Sequence, residues 1–79
     1  MIDTYLKNTI ARALQKAIDG NDALLIIEEA SDRNFLQNLV NVIREKYQGE
    51  SLKILRRVEK ALELEDPMLA EKFRRVYKR

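Results

Sequence analysis

Residues 51–78 read SLKILRRVEKALELEDPMLAEKFRRVYK. On both sides of Asp66-Pro67, apolar residues recur every three or four positions, which is the spacing of one face of an α-helix. Asp66 is a favourable N-cap, and Pro67 suits the first helical position, where its missing N–H leaves no hydrogen bond unmade. The stretch therefore predicts two helices, at about 52–65 and 67–78, with Ser51 as the N-cap of the first.

The same periodicity continues toward the N-terminus and predicts three further helices, at about 3–19, 22–30 and 32–48. The predicted boundary residues are Asp3 and Gly20 for the first of these helices, Asn21 or Asp22 for the start of the second, and Ser31-Asp32 and Gly49 for the third. The expected inward positions are Ile2, Leu6, Ile10, Ala13, Leu14, Ala17 and Ile18; Phe35, Leu36, Leu39, Val40, Val42, Ile43 and Tyr47; Leu52, Ile54, Leu55, Val58, Ala61 and Leu62; and Leu69, Phe73, Val76 and Tyr77.

The segment ALLII at residues 23–27 is the longest apolar run of the chain. A short buried strand is the alternative to a helix there, but no other segment alternates with period two to pair with it. As a helix, the segment is apolar around most of its circumference. We therefore expect it either at the centre of the core or half-buried in an interface.

The helical periodicity and the short linkers predict an all-α fold, a single compact bundle of four to five short helices, and the length predicts one domain spanning residues 1–79. The chain has no cysteine, so no disulfide assists the small core, and association with a second copy is one way to compensate. Charged residues make up 35% of the chain, a bias typical of proteins from hot environments, although the five asparagines argue against such a source.

The sequence carries no membrane or export signal. No stretch approaches the roughly 20 apolar residues of a membrane span. The N-terminal residues MIDTYLKN lack the basic and then apolar regions of a secretory signal. We therefore expect a cytoplasmic protein.

Catalysis and metal binding are poorly supported. Histidine and cysteine, the most versatile general base and the best nucleophile, are both absent. The two serines are both predicted N-caps, and the two carboxylate clusters, at 28–32 and 63–66, are expected to be solvated. The segment DGND at 19–22 fails as a calcium loop, because alanines occupy the fifth and twelfth positions. We expect no enzyme activity, no metal and no cofactor.

Positive charge is concentrated at the C-terminal end. The net charge of +2 divides into −2 over residues 1–67 and +4 over residues 68–79. The predicted fourth helix has a stripe of cations at i, i+3, i+4 and i+7, and nearly every exposed position of the fifth helix is basic. If these helices are antiparallel neighbours, the two stripes form one surface able to neutralise several phosphates. The candidate nucleic-acid-binding residues are Lys53, Arg56, Arg57, Lys60, Lys72, Arg74, Arg75, Lys78 and Arg79.

The two stripes share the pattern apolar-Arg-Arg-Val-x-Lys, in LRRVEK at 55–60 and FRRVYK at 73–78. The likeness does not extend beyond these six residues, so it reflects one turn of a basic amphipathic helix rather than a repeat. In the first copy Glu59 and Glu63 are expected to neutralise part of the charge. In the second copy Tyr77 replaces the glutamate, so Arg74 and Arg75 are the strongest candidates for contact with an anion.

The predicted third helix has a different polar face. Three asparagines on one helix require a reason, because asparagine is a poor helix former. Amide and guanidinium groups can read adenine and guanine edges, so base or partner readout is one explanation, and ordinary solvent exposure is the other. The residues of this face are Arg33, Asn34, Gln37, Asn38, Asn41 and Arg44.

Two functions remain, and no motif is specific enough to name a family. The first is a small non-catalytic protein that associates with the backbone of DNA or RNA through the last two helices. The second is an adaptor or accessory subunit that docks on a larger protein complex, or on a second copy of itself, through apolar helix faces. A lipid surface is the least favoured partner, because the apolar stripe of the last helix is narrow and Glu71 interrupts its basic face. Nothing indicates a small-molecule substrate.

Overall fold

The computed structural model describes residues 4–79 and confirms the predicted all-α bundle. The predicted N-cap Asp3 and the predicted inward residue Ile2 lie outside the described residues. The five helices are α1 (Thr4–Ala17), α2 (Gly20–Glu29), α3 (Phe35–Lys46), α4 (Ser51–Glu65) and α5 (Pro67–Tyr77).

α4 is the central helix of the bundle. It packs against α1, α3 and α5, while α2 bridges α1 and α3 and makes no contact with α5. All five helices bury residues in one apolar core, in which Ile10, Ile26, Leu39, Leu62 and Phe73 are fully buried. The radius of gyration of 11.0 Å is that of a compact chain of this length, for which about 12 Å is usual.

The Asp66-Pro67 boundary is as predicted. The Asp66 carboxylate accepts hydrogen bonds from the backbone N–H groups of Met68 (3.1 Å) and Leu69 (3.2 Å), and Pro67 is the first helical residue. Tyr5 of α1 donates a further bond to Asp66, with 2.9 Å between the hydroxyl and carboxylate oxygens. One residue therefore fixes the turn between α4 and α5 and also ties it to α1.

The boundary of α1 and α2 differs from the prediction. Gly20 is the first residue of α2 and does not have the left-handed backbone of a helix-ending glycine. The N-cap is Asp19, not Asn21 or Asp22, and its carboxylate accepts from the backbone N–H of Asn21 at 2.8 Å. The capping preference of aspartate outweighs the terminating signal of the glycine that follows it.

α3 begins three residues later than predicted. The Ser31 hydroxyl accepts from the backbone N–H of Arg33, and Asn34 has a left-handed backbone with φ of 52°. A left-handed residue cannot lie within a right-handed helix, so Ser31-Asp32 does not cap α3, which starts at Phe35. Arg33 and Asn34, predicted on the polar face of this helix, lie in the preceding turn.

The boundary of α3 and α4 is a tight turn. α3 ends at Lys46 rather than near residue 48, and the N–H of Glu50 donates to the carbonyl of Tyr47 at 2.9 Å. Gly49 is the third residue of this turn with φ of +88°, the position that in type II turns favours glycine. Ser51 is the first residue of α4 rather than its N-cap, which is Glu50.

The apolar residues of α2 lie partly in the core and partly on the surface. Ala23, Ile26 and Ile27 are buried, whereas Leu24 and Leu25 are 53% and 47% exposed. Leu52, predicted to face inward from α4, is also about half exposed. A ten-residue helix at the edge of a small core buries only one face, so its apolar run extends into solvent.

Candidate nucleic-acid interface

The nine predicted cations are all exposed; seven lie on the neighbouring helices α4 and α5, and Lys78 and Arg79 directly follow α5. α5 runs back along α4, because the Tyr77 hydroxyl near the end of α5 donates to the carboxylate of Glu59 in the middle of α4. The predicted antiparallel arrangement is therefore present. Lys53, Arg56 and Lys60 follow the outer face of α4, since residues spaced by three, four and seven share one side of a helix.

Ion pairs concentrate away from these cations. Within residues 4–79, α1 supplies three of them: Lys7 pairs with Asp32 at 3.4 Å, and Arg12 and Lys16 pair with Glu65 at 3.1 and 3.9 Å. The fourth is the i,i+4 pair of Arg75 and Glu71 at 3.3 Å. Eight of the nine candidate cations thus form no ion pair with the described residues, so their charge faces solvent.

The expected neutralisation of the α4 stripe by direct pairing does not occur. Neither Arg56 with Glu59 nor Lys60 with Glu63 forms an ion pair. The Glu59 carboxylate instead accepts a hydrogen bond from Tyr77. The glutamate still lowers the local potential, but it leaves the guanidinium group of Arg56 available to an outside anion.

Tyr77 marks the point where the two stripes meet. Burial raises the pKa of its hydroxyl to about 12, with further contributions from the hydrogen bond to Glu59 and from the charge of that carboxylate. The charges of Arg56 on α4 and Arg74 on α5 both oppose this increase in pKa. Both guanidinium groups therefore lie within electrostatic reach of the same hydroxyl.

Arg44 of α3 brings a third helix to this place. Its Nη2 donates to the backbone carbonyl of Tyr77 at 2.9 Å, where the last carbonyls of α5 have no partner within the helix. A cation at a helix C-terminus also interacts favourably with the helix dipole. We call the group of Arg44, Arg56, Glu59, Arg74 and Tyr77 the Tyr77 cluster.

The other end of the α4–α5 surface is less basic. Between the helices runs a groove lined by Glu59, Glu63, Glu71 and Arg74 together with Pro67 and Ala70. Lys72 and Arg75 lie on the opposite flank of α5, where they line a shallow depression beside Met68. The two stripes thus join at the Tyr77 cluster and are separated by carboxylates toward Pro67.

The asparagines of the α3 region have local structural roles. Asn34 adopts the left-handed backbone that precedes α3, and the side chain of Asn38 donates to the carbonyl of Arg33. Gln37 donates to the side-chain oxygen of Asn41 at 3.2 Å. Asparagine adopts left-handed conformations and caps backbone groups more readily than most residues, which accounts for Asn34 and Asn38.

Sequence reasoning assigned Arg44 to a readout face and Tyr77 simply to the core, and it missed their contact. These residues are 33 positions apart, and no local pattern indicates that they meet. Ala70, which is 2% exposed between α4 and α5, was also not among the predicted inward positions. Its small size next to Leu69 and Phe73 is the signal that could have identified it.

Within residues 4–79, no group of three or more acidic residues is arranged to hold a metal ion. No helix in the same range is long and apolar enough to cross a membrane.

Comparison of the chain with protein families, with curated proteins and with solved structures finds no match.

Proposed function

We propose that this protein binds the phosphate backbone of nucleic acid through the exposed cations of α4 and α5. The observation that carries the proposal is the unequal use of positive charge. Within the described residues, the three cations of α1 are held in ion pairs, whereas eight of the nine candidate cations on α4, on α5 and directly after α5 are not. An unpaired exposed cation can release counterions from phosphate without first breaking a salt bridge. A cytoplasmic location, where DNA and RNA are accessible, is part of the proposal.

The Tyr77 cluster is the centre of the proposed interface. Arg56 and Arg74 converge there from two helices, and Lys78 and Arg79 directly follow Tyr77 in the chain. Lys53 lies one turn before Arg56 on the same face of α4. The cations farther from the cluster, Lys60, Arg57, Lys72 and Arg75, extend the contact. Base readout by α3 is not part of the proposal, because its asparagines are accounted for by local bonds.

Fluorescence anisotropy with labelled DNA and RNA at rising salt tests this proposal. We expect binding at about 50 mM salt that weakens steeply toward 200 mM. Replacement of Arg56, Arg57, Arg74 and Arg75 by alanine should abolish most of it. Absence of binding at low salt, or binding unchanged in the quadruple variant, contradicts the proposal.

A second candidate function is docking on another protein through α2. Leu24 and Leu25 are about half exposed side by side, with exposed Glu28 and Glu29 on the same helix. This face suits a partner surface that is apolar and basic. Since α2 makes no contact with α5, such a partner would leave the proposed nucleic-acid interface uncovered.

Sedimentation of the purified protein, together with affinity purification from the source cell, tests the docking function. Replacing Leu24 and Leu25 by glutamine should abolish self-association if the wild type self-associates, and should abolish recovery of a partner if the wild type recovers one. Leu64→Gln is the matched control, because Leu64 is 83% exposed on α4 and is not part of this face. A strictly monomeric protein that recovers no partner contradicts the docking function.

A further inference from the structure

The five aromatic residues of the chain, three tyrosines and two phenylalanines, all lie within the described residues. Phe35, Phe73 and Tyr77 are buried in the core. Tyr47 is half-buried, and its hydroxyl donates to Asp22 of α2 at 3.2 Å. These four rings are therefore engaged in packing and are not presented to a nucleobase.

Tyr5 is the one exposed ring, and it lies at the Pro67 end of the surface, where it lines a pocket together with Lys72. Its hydroxyl donates to Asp66, the N-cap of α5, whereas the Tyr77 cluster lies at the other end of that helix. Eleven helical residues separate the two ends, which is about 16 Å at about 1.5 Å per residue. A base stacked on Tyr5 would bring its phosphate near Lys72, at the opposite end of α5 from Arg74 and the rest of the Tyr77 cluster.

The shape of the basic surface also disfavours a single strand. Proteins that bind single strands combine a positively charged groove with rings on which successive bases stack. Here the groove between α4 and α5 is lined by three carboxylates and one cation, Arg74, and the other candidate cations are exposed outside it. The groove repels a strand, while the convex helix faces remain open to phosphates on the outside of a larger helix.

We propose that the α4–α5 surface binds the outside of a double helix in preference to a single strand. This inference rests on the proposed function. A duplex carries about one charge per 1.7 Å of its axis, twice the density of one of its strands, so a surface that uses charge alone gains more from it. A single strand offers extra affinity only through its unstacked bases. Four of the five rings are engaged in packing, and the fifth, Tyr5, lies at the opposite end of α5 from the Tyr77 cluster.

Binding of a duplex and of its separated strands at equal length and salt tests the inference. The longest dimension of the protein, 29 Å, spans about nine base pairs at about 3.4 Å each, so a duplex of about 12 base pairs is sufficient. We expect DNA and RNA duplexes to bind at least about tenfold more tightly than oligo(dT), which forms no duplex, of the same length. Comparison of the DNA and RNA arms distinguishes B-form from A-form preference.

The outcomes separate this inference from the proposed function. Single strands that bind as tightly as duplexes, or more tightly, overturn the inference and leave backbone binding intact. Failure of every probe to bind overturns both.

The variant Tyr5→Leu provides a second readout that does not depend on the probe comparison. It removes the exposed ring but keeps an apolar side chain, and circular dichroism verifies that it folds. We expect less than about a twofold change in affinity for any probe, whereas loss of a stacking platform worth about 1–3 kcal/mol per base would weaken single-strand binding by fivefold or more. Selective loss of single-strand binding in this variant contradicts the inference.

Discussion

Tyr77 contacts side chains or backbone of three helices, α3, α4 and its own α5. Its ring packs against Phe73 at 5.5 Å between centroids with an interplanar angle of 56°, its hydroxyl donates to Glu59 of α4, and its carbonyl accepts from Arg44 of α3. A buried tyrosine hydroxyl requires such a partner, because burying an unpaired polar group is costly. The Tyr77 ring is buried and holds together the helices that carry the basic surface.

The raised pKa of Tyr77 predicts a loss of stability at alkaline pH. Burial raises the pKa of the Tyr77 hydroxyl to about 12 in the folded protein, with contributions from the hydrogen bond to Glu59 and from the charge of the Glu59 carboxylate. In the unfolded chain the pKa of a tyrosine is about 10. The stabilisation is therefore complete below pH 10 and is lost as the pH rises toward 12. For one proton the free energy of unfolding falls by about 1.4 kcal/mol per pH unit in that window.

The variant Tyr77→Phe isolates this contribution, because every other ionisable group is the same in both proteins. Urea unfolding of both at several pH values should show the advantage of the wild type over the variant shrinking between pH 10 and 12. A difference that stays constant through this window contradicts the account of Tyr77.

The two glycines predict opposite responses to the same substitution. Gly49 has φ of +88°, so Gly49→Ala should destabilise the protein by about 1–2 kcal/mol, although no atom lies within 4 Å of the added Cβ. Gly20 is a helical residue with equally open surroundings, so Gly20→Ala should stabilise it by about 0.4–1 kcal/mol. Equal effects of the two substitutions on the midpoint of urea unfolding would exclude backbone conformation as the cause.

At the scale of the helix, the caps explain which boundaries a sequence reveals. Asp66-Pro67 was predicted correctly, because an aspartate before a proline combines two local preferences that point to the same position. The start of α3 was predicted wrongly, because the hydroxyl of Ser31 and the left-handed backbone of Asn34 form turns where an N-cap was expected. Where several capping residues compete, as at 19–22 and 31–34, the residue types alone do not indicate which of them begins the helix.

The cap of α5 also predicts a response to acid. The backbone N–H of Leu69 and then the hydroxyl of Tyr5 hold the pKa of Asp66 below its ordinary value. Its stabilisation is therefore complete at neutral pH and is lost as the pH falls below about 4. Asp66→Ala should destabilise the protein at pH 7, and its deficit relative to the wild type should shrink in acid.

Asp66→Asn is the matched control for this prediction, because asparagine caps a helix about as well as aspartate but does not titrate. It should stay close to the wild type at pH 7 in thermal unfolding. An alanine variant with the same deficit at pH 7 and at pH 3 would show that ionisation of Asp66 does not contribute.

Across the whole molecule, the charged surfaces are divided between different helices. The unpaired cations of the described chain lie mainly on α4 and α5, whereas Leu24 and Leu25 lie exposed beside Glu28 and Glu29 on α2, which α5 does not contact. This division is compatible with two partners bound at once.

Helical periodicity was sufficient to predict the exposure of Arg56 and Arg74, because their positions relative to the apolar stripe are set by local spacing. It was insufficient to predict that Glu59 bonds to Tyr77 rather than to Arg56, or that Arg44 reaches the end of α5. Those contacts depend on how α3, α4 and α5 pack. A candidate interface was thus visible in the sequence, while its centre required the structure.

The salt dependence of binding to a DNA duplex is the most direct test of backbone binding through the Tyr77 cluster. The slope of log K against log salt falls in magnitude by about 0.9 for each phosphate contact removed. Arg56→Ala with Arg74→Ala should therefore reduce the slope by nearly two units.

Arg12→Ala with Lys16→Ala is the charge-matched control, since it removes two cations that are paired with Glu65. We predict that the control keeps the slope of the wild type while the Arg56/Arg74 variant loses about two contacts. Equal slopes for the two double variants would contradict the assignment of the interface to α4 and α5.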